Sequence, residues 1–598
     1  MKEERRPDIL PKLVVSAFFI AYFIYFAIFN RYSLAYNEQI QLFRFDWSYF
    51  ISFLTKPGGF VNYLSTFFIQ FYLYPIVAVS IITLTGISTY VLTNHFFKQY
   101  NISGIIWSLF PVMLLMVLQS DYTYSLADTL GFLIALIFST LYIHIRNPLL
   151  RYITGFTGLM FLYLATGGFS LLATLLCVIH ELFFTKNHYR FFIAAGYALA
   201  AAVFPFLAWY LIYFMPLDHA WLSSILFPIN KITLYGLLLL FAYIPLLLIV
   251  TKIWSILSKR PQVKPGWNRK TVIAGIVILL LFSWVMKRYA YNPRNELLFR
   301  IDNNIQREEW NNVLKISSRY PGSDRLILYF INLALYKSGK LGDEMFHYNQ
   351  KDVSYLWLAE PETDFPYFFG CNIFYHLGYT NKAYAWAYDA MVATGYAPRL
   401  LKQLVLTSLI NDDNAIAEKY LNVLDQSLFY RKWAQHYLKY LSDPNLLLQD
   451  QEIKEKRQLL LNKDFVANAN NPDSVLVRLL DNHPDNRMAF EYYMASLLLN
   501  KNVSGIVANI NNLKYYGYKE IPIHYEEALL EYMYSTHENV VPEGYLIRKS
   551  TDQRFKNFVN AYTFNSDNLN LAAQKLYKPF GTTYWYYLNF INNEVEIR

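Results

Sequence analysis

Runs of apolar residues long enough to cross a lipid bilayer constrain the fold of this chain more than any other feature of its sequence. They recur through residues 1–286, whereas beyond this point the apolar residues are spaced at helical intervals among charges. A helix that spans the hydrocarbon core needs about 20 predominantly apolar residues, with about 17 as a lower limit. Because backbone polar groups in lipid must be hydrogen-bonded internally, each run is predicted to form a helix.

Nine apolar runs predict nine membrane spans, although the sixth and the ninth are short. They are residues 13–29, 71–94, 102–118, 129–145, 149–166, 169–184, 191–214, 232–257 and 271–286. With the N-terminus in the cytoplasm, the inner segments hold 14 Lys and Arg and the outer segments hold 4. Because cytoplasmic loops are enriched in Lys and Arg, this distribution predicts a multi-pass protein with a cytoplasmic N-terminus, which in a two-membrane bacterium would lie in the inner membrane. The odd number of spans then predicts that residues 287–598 lie in the periplasm.

The excess positive charge is confined to the first half of the chain. Residues 1–286 hold 19 Lys and Arg against 9 Asp and Glu, and the remainder holds 34 against 35. Basic loops beside apolar spans account for this pattern, so the charge predicts a lipid bilayer as partner and no nucleic acid. The two cysteines, Cys177 and Cys371, form neither a disulfide framework nor a metal motif by their spacing.

The remaining residues, 287–598, are predicted to form a soluble α-solenoid similar to tetratricopeptide repeats, so that the whole protein is all-α. Segments beginning at Tyr320 and His483 echo each other, each with a proline, a helix containing a small alanine and a polar turn. A third unit has its turn at Gly378-Tyr379. Such a domain either recognises a protein or glycan partner or only packs on the membrane half. The aromatic stretch Thr583–Tyr587 is predicted to be a capping helix rather than a sugar-stacking platform.

The first outer loop, residues 30–70, is long and rich in aromatic residues but too polar to span a bilayer. Its segments 40–54 and 60–70 suit helices that lie in the membrane interface, where Trp and Tyr rest at headgroup depth. Lys56-Pro57-Gly58-Gly59 marks the break between these two helices.

Five acidic residues are predicted on the outer side of the membrane half, where carboxylates near lipid are costly and mark sites by default. They are Glu38, Asp46, Asp121, Asp128 and Asp218. Asp128 is the strongest candidate because it lies nearest to lipid-depth residues, although it could instead cap its helix. Glu38 and Asp121 could also be solvated loop charges, and Asp46 is expected to supply the polar face of an interfacial helix.

This layout resembles the GT-C class of membrane glycosyltransferases, which place an acid in a long outer loop just after the first span and end in a periplasmic domain. The resemblance covers about residues 10–286. The segments that carry it are Tyr36-Asn37-Glu38, Lys56-Pro57-Gly58-Gly59-Phe60, Ser120-Asp121-Tyr122 and Thr166-Gly167-Gly168. The whole chain also resembles an uncharacterised family of Bacteroidota membrane proteins that join such a half to helical repeats.

The resemblance implies transfer of a sugar from a polyprenyl-phosphate carrier to a periplasmic protein or glycan acceptor. Glu38 would be the base toward the acceptor hydroxyl or a metal ligand, with Asp121 and Asp128 as further acids. The basic candidates for holding the carrier are Arg31, Arg44, Lys231 and His219. Many members of the class have paired acids after the first span, whereas this chain has Asn37-Glu38, which leaves open whether a divalent cation is a cofactor.

Two other functions compete with an enzyme. A non-enzymatic scaffold would use the membrane half as an anchor and the repeats to recruit periplasmic partners. A transporter is disfavoured because the spans hold few polar groups and no paired broken helices. Convergence of the outer carboxylates on one groove with a basic residue would favour the enzyme, and carboxylates scattered over separate loops would favour the scaffold. The chain has no Walker loop, dinucleotide fingerprint, HExxH or CxxC motif.

Overall fold

The computed structural model describes most of the chain as helices arranged in two compact units. The residues outside this description are 1–8, 103–104, 223–230, 259–280, 283, 285–287, 289, 319, 359–364, 466–471, 566–567 and 592–598. Among the described residues there are helices and no strand, which confirms the predicted all-α fold. The membrane unit comprises Met1–Glu296 with Gln426–Phe429, and the repeat unit comprises Leu297–Asp425 with Tyr430–Arg598. The boundary predicted after residue 286 falls among residues outside the description.

The membrane unit is built from apolar helices joined by short connections. Its helices are α1 (Ile9–Phe29), α2 (Arg31–Gln39), α3 (Trp47–Leu54), α4 (Gly59–Ile69), α5 (Pro75–Gln99), α6 (Ile105–Gln119), α7 (Leu126–His144), α8 (Pro148–Thr166), α9 (Phe169–Phe184), α10 (Arg190–Leu211), α11 (Leu217–Leu222) and α12 (Lys231–Ser258). α5 packs against α1, α6 and α7, and α9 packs against α7, α8 and α10. The cores between them are apolar, with Leu136 and Leu172 fully buried.

Six helices in the described part of the chain are long and apolar enough to cross a membrane, which indicates a membrane-embedded protein. They are Lys12–Phe29, Pro75–Gln99, Leu126–His144, Pro148–Thr166, Arg190–Leu211 and Thr233–Leu257. The predicted number of nine is therefore wrong. α6 and α9 are apolar but have only 15 and 16 residues. At 1.5 Å per residue each is about 22–24 Å long, short of a hydrocarbon core of about 30 Å. The predicted ninth span, residues 271–286, lies almost entirely outside the described residues.

The loop of residues 30–70 contains the two predicted helices, α3 and α4, and a third that the sequence did not predict. Gly58 has a φ of 68° at the predicted break, a left-handed conformation that glycine adopts without steric cost. The unpredicted helix is α2, whose sequence RYSLAYNEQ is too polar to stand out as a helix by its apolar pattern. This loop is therefore folded along most of its length, and it carries Glu38.

The repeat unit is a series of amphipathic helices. Those of eight or more residues are Trp310–Ser317, Arg325–Lys337, Phe365–His376, Thr380–Thr394, Pro398–Ile410, Asn414–Asp425, Arg431–Ser442, Gln451–Gln458, Pro472–Asn482, Arg487–Leu499, Ile523–Thr536, Lys549–Phe564 and Leu569–Phe580. From Phe365 to Ser442 each successive helix packs against the next, as in an α-solenoid. Pro293–Gln306 begins in the membrane unit and continues into the repeat unit.

The internal echo of the sequence corresponds to two similarly capped helices. Asp324 accepts hydrogen bonds from the first backbone N–H groups of Arg325–Lys337, and Asn486 does so for Arg487–Leu499. Each helix has 13 residues, and their small residues Ala334 and Ala495 are buried. Because an N-cap residue fixes where a helix begins, the same local chemistry produces both segments.

The C-terminal aromatic stretch forms the short helix Tyr584–Phe590. Its Tyr584, Trp585, Tyr586 and Tyr587 are all buried. The helix packs against Ile523–Thr536 and Leu569–Phe580. These aromatics are thus part of the core of the repeat unit, as the prediction of a capping helix requires.

Candidate functional site

Three predicted acidic residues lie at one end of the membrane unit, which we call the carboxylate end. It consists of α2, the turn between α6 and α7, and the first turn of α7. Tyr36 on α2 packs edge-on against Tyr122 in the turn, with ring centres 6.0 Å apart. The side-chain amide of Asn30, at the start of α2, donates to the carbonyl of Ser120 at 3.3 Å. Two segments that carry the GT-C resemblance, residues 36–38 and 120–122, are therefore in contact.

Glu38 is a buried carboxylate in the last turn of α2, where only 2% of the residue is exposed. The neighbouring Gln39 amide donates a hydrogen bond to it. A carboxylate this far from water is costly unless polar groups surround it. Glu38 is therefore not a solvated loop charge, and the structure removes that alternative.

Asp121 sits in the turn between α6 and α7 and is partly buried. Its Oδ1 accepts hydrogen bonds from the backbone N–H and the hydroxyl of Thr123, both at 2.9 Å. Its Oδ2 accepts from the hydroxyl of Thr233 in the first turn of α12 at 3.1 Å. These contacts hold the turn closed and attach it to α12, so at least part of the role of Asp121 is structural.

Asp128 lies in the first turn of α7 and is only 7% exposed. The N-cap of this helix is Ser125, whose hydroxyl accepts from the N–H of Ala127 at 3.2 Å, so the alternative in which Asp128 caps the helix is wrong. The described residues offer its carboxylate no side-chain hydrogen bond or ion pair. Burial, followed by the nearby Asp128 carboxylate, raises the pKa of Tyr124 well above its usual value. Among the residues that the structure describes, Asp128 is thus a buried acid without a side-chain partner.

A buried polar network lies beside Asp128, between α1, α5, α6 and α7. Gln119 is at its centre: it accepts from the Tyr22 hydroxyl and donates to Thr85 at 3.2 Å and to Thr129 at 3.1 Å. The hydroxyls of Tyr124 and Thr129 are 3.1 Å apart. Uncharged groups that satisfy one another are tolerated among apolar helices far better than charges. The network therefore fixes the packing of these helices below the carboxylate end.

The other two segments of the resemblance also meet each other. A Cβ at Gly58 would lie 3.1 Å from the carbonyl carbon of Thr166 and 3.2 Å from the nitrogen of Gly167. The turn before α4 thus touches the turn between α8 and α9 backbone to backbone. Only a residue without a side chain permits this approach in the left-handed conformation of Gly58.

The predicted basic residues are dispersed. Arg31 is exposed at the start of α2, with its guanidinium 5.0 Å from the ring centre of Tyr32. Arg44 lies over the ring of Tyr49 at 4.8 Å. His219 is exposed on the short helix α11, which the hydroxyl of Tyr163 on α8 holds by donating to the carbonyl of Ala220 at 2.7 Å.

Lys231 is the first residue of α12, two positions before the threonine that contacts Asp121. The structure thus brings the start of α12 to the carboxylate end. The other three basic candidates lie on different segments, and the side chain of Lys231 lies outside the description.

Two residues that sequence reasoning missed complete the carboxylate end. The buried carboxylate of Glu296 accepts from the backbone N–H groups of Tyr32 and Ser33, both at 3.3 Å, and from the Ser33 hydroxyl at 3.1 Å. It therefore stabilises the N-terminus of α2 from more than 260 positions away along the chain, as an anion at a helix N-terminus does. No local pattern could reveal this pairing.

Arg294 is the second of these missed residues. Burial raises the pKa of Tyr122, the Asp121 carboxylate adds to this effect, and Arg294 opposes it. A cation therefore acts at the carboxylate end from the start of helix Pro293–Gln306. In the sequence, Arg294 is recognisable only as a basic residue that follows the last apolar run.

Asp46 has a structural role, but as the N-cap of a helix and not as the polar face of an interfacial helix that the sequence predicted. It caps α3 by accepting from the backbone N–H groups of Ser48 and Tyr49, both at 3.3 Å.

Among the residues that the structure describes, no group of three or more His, Cys, Asp or Glu could hold a metal ion. Glu38, Asp121 and Asp128 therefore share one end of the unit but do not form a set of metal ligands.

Comparison with known proteins places the chain in a family without assigning an activity. No curated protein and no solved structure matches it. A family described only as being of unknown function matches residues 6–591, which includes nearly all of both units. The chain belongs to this family, DUF6057.

Proposed function

We propose that the protein is a bacterial inner-membrane glycosyltransferase that takes a sugar from a polyprenyl-phosphate carrier and transfers it to a periplasmic acceptor. The observation that carries the proposal is the buried Glu38 carboxylate, held on α2 against the turn of residues 120–122. Buried ionisable groups in membrane proteins are retained mainly where function requires them. The contact between two segments chosen for their resemblance to GT-C enzymes supports the same reading.

The proposed reaction uses Glu38 as general base. The acceptor hydroxyl oxygen forms a bond to the anomeric carbon while the bond from that carbon to the carrier phosphate oxygen breaks. The hydroxyl proton passes to the Glu38 carboxylate, and the polyprenyl phosphate leaves with the bonding electron pair. Arg294 would offset the charge that develops on the leaving phosphate, together with Arg31 at the start of α2. A divalent cation, if one takes part, would need ligands from the substrate in addition to Glu38.

A scaffold is the second candidate, and the packing of each helix against the next from Phe365 to Ser442 favours it. In that case the membrane unit would anchor the repeat unit, whose consecutive helices would recruit a periplasmic protein or glycan. The two candidates differ in one respect that can be measured. Only the enzyme requires the charge of Glu38.

The test compares envelope glycans and glycoproteins, by mass spectrometry, in cells without the protein and in cells restored with variants. Glu38→Gln keeps the shape of the side chain and removes the base, so we expect it to restore no more than about 1% of the transfer, given the usual contribution of a general base. Asp46→Asn is the matched control: it makes the same change of charge in the same loop, at a residue that only caps α3, and it should restore transfer fully.

Both variants must accumulate in the membrane at the level of the unmodified protein for the comparison to count. Full restoration by Glu38→Gln would reject the enzyme. A deletion that alters no glycan would reject it as well and leave the scaffold as the better account.

A further inference from the structure

A cavity of about 680 Å³ lies at the end of the membrane unit opposite the carboxylate end, between the end of α7, the start of α8 and the end of α9. Its wall contains the cationic side chains of Arg146, Arg151 and Lys186. Tyr152 and Phe184 add aromatic surface to the same wall. We call this region the cationic cavity. Its volume is within the range of pockets that enclose small ligands.

One of the three cations is neutralised inside the protein. Glu181 is fully buried, and its Oε1 lies 3.0 Å from Nε of Arg151. The Tyr142 hydroxyl donates to the same oxygen at 2.8 Å, and the Thr185 hydroxyl donates to Oε2 at 3.1 Å. This set of bonds satisfies the carboxylate and fixes the guanidinium at the cavity wall. Glu181 therefore positions Arg151 and does not itself offer a free carboxylate to a ligand.

The other two cations are uncompensated. Arg146 and Lys186 are exposed, and neither makes an ion pair within the part of the chain that the structure describes. Their positive charge therefore faces the cavity together with the guanidinium of Arg151, whose side chain is 12% exposed. Such an arrangement favours an anion with several acceptor oxygens, which is the chemistry of a phosphate group.

Apolar side chains flank the mouth of the cavity. On α8, Leu149 and Leu150 are exposed in the turn that also carries the cavity residue Arg151. Phe191 and Phe192 are exposed at the start of α10, shortly after Lys186. Both helices are long and apolar enough to span a membrane, so these side chains lie where a helix enters lipid. A ligand that fits the whole region has a phosphate group attached to hydrocarbon.

We propose that the cationic cavity binds the headgroup of an anionic glycerophospholipid. The phosphate contacts Arg146, Arg151 and Lys186, and the acyl chains lie along the exposed apolar side chains of α8 and α10. A free phosphate anion would meet the same cations but would leave the apolar surface unused. This site is separate from the carboxylate end and does not depend on the activity proposed for it.

The test is native mass spectrometry of the purified full-length protein in detergent micelles, titrated with dioleoylphosphatidylglycerol. Dioleoylphosphatidylcholine, which has the same acyl chains but no net charge, is the matched lipid. The phosphatidylglycerol should bind more tightly to the unmodified protein. The double variant Arg146→Gln/Lys186→Gln should lose about 25-fold in affinity for it, since each cation near an anionic lipid contributes about fivefold.

The control variant is Lys12→Gln/Lys98→Gln, which removes two exposed cations that do not line the cavity. It should bind phosphatidylglycerol within about twofold of the unmodified protein. Equal binding of the two lipids by the unmodified protein, or equal losses in the two double variants, would overturn the proposal. Displacement of the lipid by millimolar inorganic phosphate would also overturn it, because the cavity would then be a site for a soluble anion.

Discussion

Asp302 and Arg399 form an ion pair inside the repeat unit, where each residue is about 5% exposed or less. Nη1 of Arg399 donates to both carboxylate oxygens of Asp302, at 2.8 and 3.0 Å. The guanidinium also lies 5.0 Å from the ring centres of Phe368 and Phe369. Burial raises the pKa of Asp302 even with Arg399 beside it. The charge of each partner is therefore tolerated only because the other is present.

Replacing Arg399 alone should be severely destabilising. Arg399→Met leaves Asp302 buried without its cation, and we expect a loss of about 3–5 kcal/mol in the free energy of unfolding. The double variant Asp302→Leu/Arg399→Met removes both charges and should recover most of this loss. Thermal or urea unfolding of the full-length protein in detergent measures both. A double variant as unstable as the single one would show that the pair contributes more than mutual neutralisation.

Lys456 is a partly buried cation in the repeat unit. Its ammonium donates to the carbonyl of His376 at 2.8 Å. Burial, followed by the nearby Lys337, lowers the pKa of Lys456 to about 8. The unfolded chain therefore binds one more proton than the folded chain between about pH 8 and the ordinary lysine value near 10.4. Stability from this group rises with pH across that window, and its cost is fully present below pH 8.

We predict that Lys456→Met removes this pH dependence. The difference in unfolding free energy between the unmodified protein and the variant should shift in favour of the unmodified protein by about 1–3 kcal/mol between pH 7.5 and 10. Comparing the two proteins at each pH cancels the titration of other groups, such as the many tyrosines. A difference that stays constant over this range would show that Lys456 keeps an ordinary pKa when folded.

Among single residues, sequence reasoning succeeded where the chemistry is local. A structural role for Asp46 could be predicted from its interfacial segment, although the role proved to be that of an N-cap acting on the next few N–H groups. The role of Glu296 could not be predicted, because it stabilises a helix more than 260 positions away along the chain. No local sequence pattern indicates which distant residues will be in contact. Asp128 is buried, and the alternative in which it caps α7 is wrong because Ser125 precedes it and already supplies the cap.

At the scale of elements, the turn before α4 depends on one glycine. Gly58 has positive φ, and a Cβ added to it would press on the backbone of Thr166 and Gly167, which cannot move aside as a side chain could. Gly339 in the repeat unit has nearly the same φ, 67°, but no atom within 4 Å of its added Cβ. Substituting alanine at Gly58 and at Gly339 therefore distinguishes the energetic cost of the left-handed conformation from the energetic cost of the backbone contact.

Gly58→Ala should therefore be more destabilising than Gly339→Ala. The conformational cost, about 1–2 kcal/mol, is common to both, and only Gly58→Ala adds the clash with the turn between α8 and α9. We expect Gly58→Ala to lower the thermal midpoint of the detergent-solubilised protein by several degrees more than Gly339→Ala. Equal shifts would mean that the two turns do not touch as closely as the structure places them.

Helices with strong apolar patterns were predictable, and helices without one were not. α5, α7, α8, α10 and α12 fall where apolar runs placed them, because the bilayer imposes a length that composition reveals. The number of spans was overestimated because a run of 15 or 16 apolar residues suits a short buried helix as well as a span. α2 was missed because its nine residues are polar and become a helix through Asn30, Glu296 and their neighbours rather than through periodicity.

At the scale of the whole molecule, the membrane unit has two chemically different ends. One carries Glu38, Asp121 and Asp128, and the other carries the cationic cavity with Arg146 and Lys186. α7 is long and apolar enough to span a membrane, and it runs from Asp128 in its first turn to the cavity at its other end. A membrane that α7 crosses would therefore separate the acids from the cations. This separation is the central claim of the account, because a glycosyltransferase acting outside the membrane needs its base there and its basic loops in the cytoplasm.

Cysteine labelling measures this separation directly. Cys177 and Cys371 are buried, and both would be replaced by serine. Lys56→Cys then reports on the loop of residues 30–70, and Lys186→Cys reports on the cationic cavity; both lysines are exposed and the two changes are chemically identical. Each variant is treated with a membrane-impermeant maleimide in intact spheroplasts and again after permeabilisation. We expect Lys56→Cys to react in both conditions and Lys186→Cys to react only after permeabilisation. Equal reaction of both variants in intact spheroplasts would contradict this expectation.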